Sequence, residues 1–236
     1  MESSAYDRLS GELPTRFMGK KILFFREIDS TNDYARDYFF SEKEKAQEGT
    51  IIVAGRQTKG RGQFDRTWHS PPEGGVYLSV LLTPPRELER TLPAVSLMAG
   101  AAAVEALENL TRSKFNLKYP NDIFLLGKKV GGILVEKIGG GRGNEKKMRV
   151  ILGMGVNLSM DISSMPEDLR ETASSISHLL GARITPPEFV RELSIHLEKW
   201  YLSFLAEDFQ GIVECWRERM EEIPESARSC WESLTP

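Results

Sequence analysis

Histidine and cysteine are scarce in this chain. Among its 236 residues there are three histidines, His69, His178 and His196, and two cysteines, Cys215 and Cys230. None of them stands at metal-ligand spacing, so a site built on histidine or cysteine is not expected. Two late cysteines suit a reducing compartment and unpaired thiols, with one late disulfide as the alternative. Long hydrophobic runs are missing as well. The longest weakly polar stretch, 94–107, is too short for a bilayer and is broken by Glu105. The first residues lack the basic-then-apolar pattern of a leader, and a cytoplasmic protein is expected. Basic excess is also lacking, because the formal net charge is −3. This argues against general nucleic-acid binding and makes any basic site a local one. Neither a GxxxxGK[ST] segment nor a kinase-like set occurs, so a familiar phosphate loop is excluded. The length suits one large domain, or one with a small appendage.

Against this background one segment is dense in chemistry. Residues 55–68, Gly-Arg-Gln-Thr-Lys-Gly-Arg-Gly-Gln-Phe-Asp-Arg-Thr-Trp, carry four cations, three glycines, two glutamines and a tryptophan. Glycines let a backbone approach an anion, and Lys59, Arg61 and Arg66 supply charge to hold it. The apolar runs 50–54 and 76–82 on either side predict buried strands, which would hang the loop between two rigid elements. A solvated basic loop is the plain alternative.

The remaining pattern predicts a first strand at 21–25 after a short polar lead. A helix capped around Ser30 follows, with Tyr34, Ala35, Tyr38 and Phe39 at helical spacing. Residues 92–110 predict a long amphipathic helix. Short strands follow near 114–118 and 123–126, with a hairpin turn at Gly127-Lys128 into a strand at 130–138. A flexible tip is expected at Gly139–Asn144, then a strand at 148–158. Two helices close the chain, one after Pro186-Pro187 with an aromatic stripe and one near 208–222, before a polar, loosely ordered tail. The boundaries expected are a lead at 1–19, a main domain at 20–222 and a tail at 223–236. Consecutive strands without intervening helices predict an α+β fold with a mixed, mainly antiparallel sheet and helices packed on it.

Three more segments place polar groups at strand ends. Lys118-Tyr-Pro-Asn-Asp122 concentrates a cation, an amide and a carboxylate beside a proline, although an ordinary turn has the same composition. Lys129-Val-Gly-Gly-Ile-Leu-Val-Glu136 has two glycines within a strand, a mark of close approach by a ligand or another backbone. Gly153-Met-Gly-Val-Asn157 alternates glycines and then offers an amide. Together they predict a glycine-floored cleft lined by Lys118, Lys129, Arg61, Asn157 and Asp122. Such a cleft suits a polyphosphate, and its one carboxylate suits a magnesium ion that keeps most of its waters.

In order and spacing, Ser30-Thr-Asn32, Gln57 with Lys59-Gly-Arg-Gly62 and Trp68, Lys118–Asp122, Lys129–Glu136 and Gly153–Asn157 resemble the catalytic domain of biotin–protein ligases, over about residues 20–220. Tyr119 stands where that family usually has tryptophan. The resemblance implies the biotin/lipoate ligase, class II synthetase-like fold. It also implies a two-step reaction: biotin and MgATP form biotinyl-5'-adenylate, which acylates a lysine of a biotin carboxyl carrier protein. It further implies that Ser30, Thr31, Asn32, Gln57, Gly60, Arg61, Gly132, Ile133 and Gly155 hold biotin. Arg61, Gln63, Arg66, Trp68, Lys118, Asn121, Lys129 and Asn157 would engage ATP, with Trp68 on the adenine. Lys129, Arg61, Lys118 and Asp122 would be catalytic, with magnesium held through phosphates and by Asp122. A homodimer formed through a sheet edge is expected from the same likeness.

Two departures from the family pattern stand out. Gly60-Arg-Gly-Gln63 has an amide where the family commonly has a second arginine, which predicts looser retention of the adenylate. No strand-like sequence follows the last helix to build the family's small C-terminal barrel, and the residues before the first strand are too few for its helix-turn-helix. The alternatives considered are a lipoate or octanoate ligase on the same fold and a non-catalytic binder of biotinyl-adenylate.

Overall fold

The computed structural model describes residues 2–41, 46–71, 73–139, 146–220, 224, 225, 231 and 234. Its strands are β1 (Ile22–Phe25), β2 (Ile51–Ala54), β3 (Gly75–Leu82), β4 (Asn116–Lys118), β5 (Asp122–Leu125), β6 (Lys128–Ile138) and β7 (Arg149–Asn157). They form one sheet in the order β1-β2-β3-β7-β6-β5-β4. Only β1 and β2 pair in parallel; every other neighbouring pair is antiparallel. The mixed, mainly antiparallel sheet is the one that the strand pattern predicts. The helices are α1 (Glu2–Glu12), α2 (Thr31–Ser41), α3 (Ala94–Thr111), α4 (Glu167–Arg170), α5 (Ile176–Leu180), α6 (Pro186–Leu205) and α7 (Gln210–Arg217).

One face of the sheet carries the main core. There Val76, Leu78, Val80 and Leu82 of β3 and Val150, Leu152, Met154 and Val156 of β7 meet α3 and α6. α3 is rich in alanine and buried on nearly all sides, so α6 and α7 can lie close to it. At Gly100 a Cβ would come 2.7 Å from the Trp216 ring, so only glycine fits under that indole. α6 begins with a reciprocal capping box between Thr185 and Glu188 and with proline in its first turn. Such a start contributes about 1 kcal/mol. The helix then buries the stripe Phe189, Leu193, Leu197, Trp200 and Phe204, as its spacing predicts.

The opposite face carries α2 over Ile52, Leu81 and Ile151. Beside α2 the strands turn small. Side chains alternate along a strand, so the register that pairs Gly132 with Gly155 and Leu134 with Gly153 sets three glycines on this one face. The open ground they leave is the floor of the cleft.

Several elements differ from the sequence-based expectation. The lead contains helix α1, whose Tyr6 and Leu9 are buried together with Leu13 just beyond it; Tyr6 stacks on Phe24 at 4.9 Å. Three apolar residues in an otherwise polar segment are a weak periodic signal, yet each buried side chain contributes roughly 1.5–3 kcal/mol. The loop after α1 is held by Glu198, whose carboxylate accepts from the backbone N–H groups of Arg16, Phe17 and Met18 at 2.8–3.1 Å. In the tail, Trp231 and Leu234 join the main core. The turn between β5 and β6 is made by Leu126-Gly127, one residue earlier than expected. The glycine tip at 140–144 and Cys230 lie outside the described residues. Cys215 is free and buried, and burial pushes its thiol up to about 11.

Candidate active site

The cleft has a volume of about 550 Å³ and is walled by the start of α2, the loop after β2, the β5–β6 hairpin, the ends of β6 and β7, and residues 165–173. Nearly every residue singled out from the sequence lines it. Ser30, Thr31, Asn32, Gln57, Arg61, Gln63, Arg66, Trp68, Lys118, Asn121, Asp122, Lys129, Gly132, Ile133, Gly155 and Asn157 all face this space. Gly60 does not. It backs the loop instead, where a Cβ would fall 2.5 Å from the Trp68 carbonyl, and its own carbonyl accepts from the Trp68 N–H at 2.9 Å.

At one end the groups are neutral and fixed by one another. The Gln57 side-chain oxygen accepts from the Thr31 backbone N–H at 2.8 Å and lies 3.1 Å from the Thr31 hydroxyl. The Ser79 hydroxyl is 2.7 Å from Thr31 Oγ1 and 2.5 Å from Asn32 Oδ1. The Asn32 amide in turn donates to Glu136 at 2.6 Å. Ser79 is fully buried in the middle of β3. Its signal in the sequence is slight, a single hydroxyl within an apolar run. Gly153 leaves the room for Asn32, since a Cβ there would meet Oδ1 at 2.3 Å.

At the other end lie two lysines, while the Arg61 guanidinium borders the first end, sharing Glu136 Oε2 with the Asn32 amide. Lys129 Nζ is 2.6 Å from Asp122 Oδ1 and 5.5 Å from the centre of the Trp68 ring. Lys118 Nζ sits 5.7 Å from the centre of the Phe124 ring. Arg61 Nη2 meets Asp33 at 2.6 Å and Glu136 at 3.2 Å, and Arg36 bridges the same two carboxylates. Two guanidinium groups thus balance two carboxylates. Arg61 uses three of its five N–H groups in that network. Asp33, Arg36 and Glu136 are residues that sequence reasoning left without a role.

Between the two ends Trp68 lies against the glycine floor. A Cβ on Gly155 would be 2.6 Å from its ring and one on Gly132 would be 2.9 Å away. Its indole N–H is buried without a hydrogen-bond partner among the described residues. The resemblance assigns Trp68 to the adenine, whereas the structure sets it against Gly132 and Gly155, two residues assigned to biotin. Asn121 clamps β6 in place: its side-chain amide donates to the Ile133 carbonyl at 2.8 Å, while its own carbonyl accepts from the Ile133 N–H. Asn157 is buried and donates to the Ser174 carbonyl at 3.0 Å. That carbonyl belongs to a segment which pairs with Lys129 through backbone bonds of Lys129 with Thr172 and Ser174. No periodic pattern in residues 158–175 betrayed this wall.

A model of the biotin/lipoate A/B protein ligase family matches residues 24–157. The chain belongs to this family. It is 33% identical over 205 residues to the bifunctional ligase/repressor BirA of Bacillus subtilis, covering 86% of this chain and 61% of that protein. It therefore spans about three fifths of the length of that relative. Among solved structures it resembles the biotin protein ligase from Aquifex aeolicus in complex with biotin and ATP, with 31% identity and a TM-score of 0.70 over 86% of this chain and 79% of that one. The Leishmania major biotin protein ligase in complex with biotinyl-5-AMP is 26% identical, with a TM-score of 0.66 over 87% of this chain and 84% of that one. The glycine-floored cleft of this family member is thus built by the segment that the family model matches, closed on one side by residues 165–173 beyond it.

Proposed function

We infer that this protein activates biotin with ATP and passes it to a lysine of a biotin carboxyl carrier protein. The observation that carries the reading is the cleft itself, which sets the hydrogen-bonded Gln57, Thr31 and Ser79 at one end with Arg61 close by, and Lys118 and Lys129 at the other. The hydrogen-bonded groups suit an uncharged ring amide, and the cations suit a carboxylate and phosphates. In the first step a carboxylate oxygen of biotin attacks the α-phosphorus of ATP, forming the acyl-adenylate as pyrophosphate leaves. In the second, the lysine amine attacks the acyl carbon, the C–O bond to AMP breaks, and an amide remains.

Lys129, Lys118 and Arg61 act on the charge that grows on the phosphorus, where preorganised cations are most effective. Holding carboxylate and α-phosphate side by side contributes much of the remaining acceleration. The Trp68 N–H, held over Gly155, is a donor that a ligand acceptor would satisfy. No cluster of three or more metal-ligating side chains occurs among the described residues. One carboxylate, Asp122, fits a magnesium ion that arrives on the phosphates of ATP and neutralises part of their charge. No helix among the described residues is long and apolar enough to cross a membrane.

The decisive experiment is biotin-dependent exchange of pyrophosphate into ATP, followed by transfer to a purified carrier domain. Exchange and transfer with biotin are expected. Exchange with lipoate but not biotin would overturn the choice of substrate, and exchange without transfer would leave a binder of the adenylate.

A further inference from the structure

We propose that Phe64 and Leu126 form the contact surface for the protein that receives the activated acyl group, an inference that rests on the function just proposed. They are the two most exposed large apolar side chains among the described residues, at 86% and 68%. Neither belongs to a hydrophobic cluster. Both also hold left-handed backbone, with φ of 55° at Phe64 and 49° at Leu126. That region is disfavoured for residues with bulky side chains. Leu126 opens the two-residue connection between β5 and β6, and Gly127 follows at φ 75°. Two successive positive φ angles make the turn for which Asn-Gly is the favoured pair. Local structure therefore favours asparagine or glycine at both positions, and hydration disfavours the apolar side chains there. Packing within the chain explains neither residue.

Their placement supplies the explanation. Gln63 and Gly127, their chain neighbours, both line the cleft. The two residues thus adjoin the cleft lining in the chain, one on the basic loop and one on the hairpin, and we take their exposed side chains to stand at its rim. A lysine side chain carries its amine only roughly 6 Å from its Cα by standard bond lengths. To reach an acyl carbon within the cleft, the acceptor must bring its own backbone down to that rim. The occupant of this surface is accordingly the acceptor protein, presenting apolar surface around its target lysine. Covering Phe64 and Leu126 removes their side chains from water and offsets what their exposure costs.

The test uses Phe64→Asn, Leu126→Asn and the double variant, since asparagine tolerates left-handed backbone and keeps both turns. Transfer is measured against carrier-domain concentration. Biotin-dependent pyrophosphate exchange and trapping of the adenylate by hydroxylamine are measured without carrier. The expected result is a KM for carrier raised about tenfold by each substitution, with exchange, hydroxamate formation and thermal stability retained. An unchanged KM for carrier with exchange intact overturns the proposal. So does a loss of exchange in the variants, which would place the two residues in the cleft chemistry, or reduced self-association at unchanged KM, which would assign the surface to a second copy. If the unsubstituted protein itself shows no biotin-dependent exchange, the underlying function fails instead.

Discussion

Lys129 and Asp122 face each other across the β5–β6 pair, with Nζ 2.6 Å from Oδ1 and 5.5 Å from the centre of the Trp68 ring. The carboxylate holds the ammonium at the place where the proposed reaction needs a cation for phosphate. Removing the lysine alone does two things: it deletes a cation and leaves an unpaired carboxylate facing the incoming phosphates. Lys129→Gln is expected to lower pyrophosphate exchange about 100-fold or more. Adding Asp122→Asn should recover part of that loss, so a double-mutant cycle on the exchange rate should be clearly non-additive.

Ser79 acts through its neighbours. Ser79→Ala would leave the Asn32 carbonyl and the Thr31 hydroxyl without their buried partner. A loss of roughly 1–2 kcal/mol in stability is expected from that alone. The more specific outcome is a raised KM for biotin with an unchanged KM for ATP, measured in the exchange assay, because Ser79 orients only the neutral end of the cleft.

Gly155→Ala tests the glycine floor. The added Cβ would lie 2.6 Å from the Trp68 ring, so the indole must lift. Overpacking of this kind costs about 1–3 kcal/mol. Because Trp68 sits on a loop and Gly155 in a strand paired on both sides, the effect should fall on the indole and so on ligand affinity. Calorimetry is expected to show weaker biotin binding with little change in melting temperature.

Gln63 lines the cleft between Gly62 and the exposed Phe64. Gln63→Arg would offer a charged donor to the adenylate, and charge-assisted bonds of this type contribute about 1.5–3 kcal/mol. Release of preformed adenylate, followed by filter binding, is expected to slow at least about tenfold.

Far from the cleft, Glu105 joins α3 to α6. Burial raises its carboxyl, but bonds from His196, Lys199 and Trp200 together outweigh that and hold it down at about 2, below the ordinary 4.5. A carboxyl lowered in the folded state stabilises above its unfolded value, and that contribution fades as pH falls from 4.5 toward 2. Glu105→Gln is expected to lower stability at neutral pH by roughly 1–3 kcal/mol. It should also flatten the dependence of urea midpoints on pH across that acid window.

Strand and helix identity was legible where one period dominated. The stripe of α6 carries its burial in its spacing, because a side chain's face depends only on its place along the element, while the apolar runs at 50–54 and 76–82 are continuous and mark strands buried on both faces. The cleft was legible for a related reason. Gly153 and Gly155 share a face because they alternate along one strand, and adjacent glycines at 131 and 132 supply a match from the next strand, which the register Gly132 to Gly155 selects. α1 escaped notice because its three apolar contacts are scattered in polar sequence and find their partners, β1 and α6, only in space. The wall at 165–173 escaped for the same reason, being held by backbone bonds to Lys129 that no side-chain pattern announces.

The sequence by itself determined most of the strands, the long helices and which glycines and polar residues were available to a cleft, since these follow from local pattern and residue chemistry. Only the tertiary structure decided who meets whom. It brought Ser79 under Thr31 and Asn32, paired Lys129 with Asp122, set Trp68 against Gly132 and Gly155, and left Phe64 and Leu126 in water. Most of those relationships join residues far apart in the chain, Ser79 lying 48 positions from Thr31 and 47 from Asn32, and such contacts depend on register and packing rather than on any property of the residues alone.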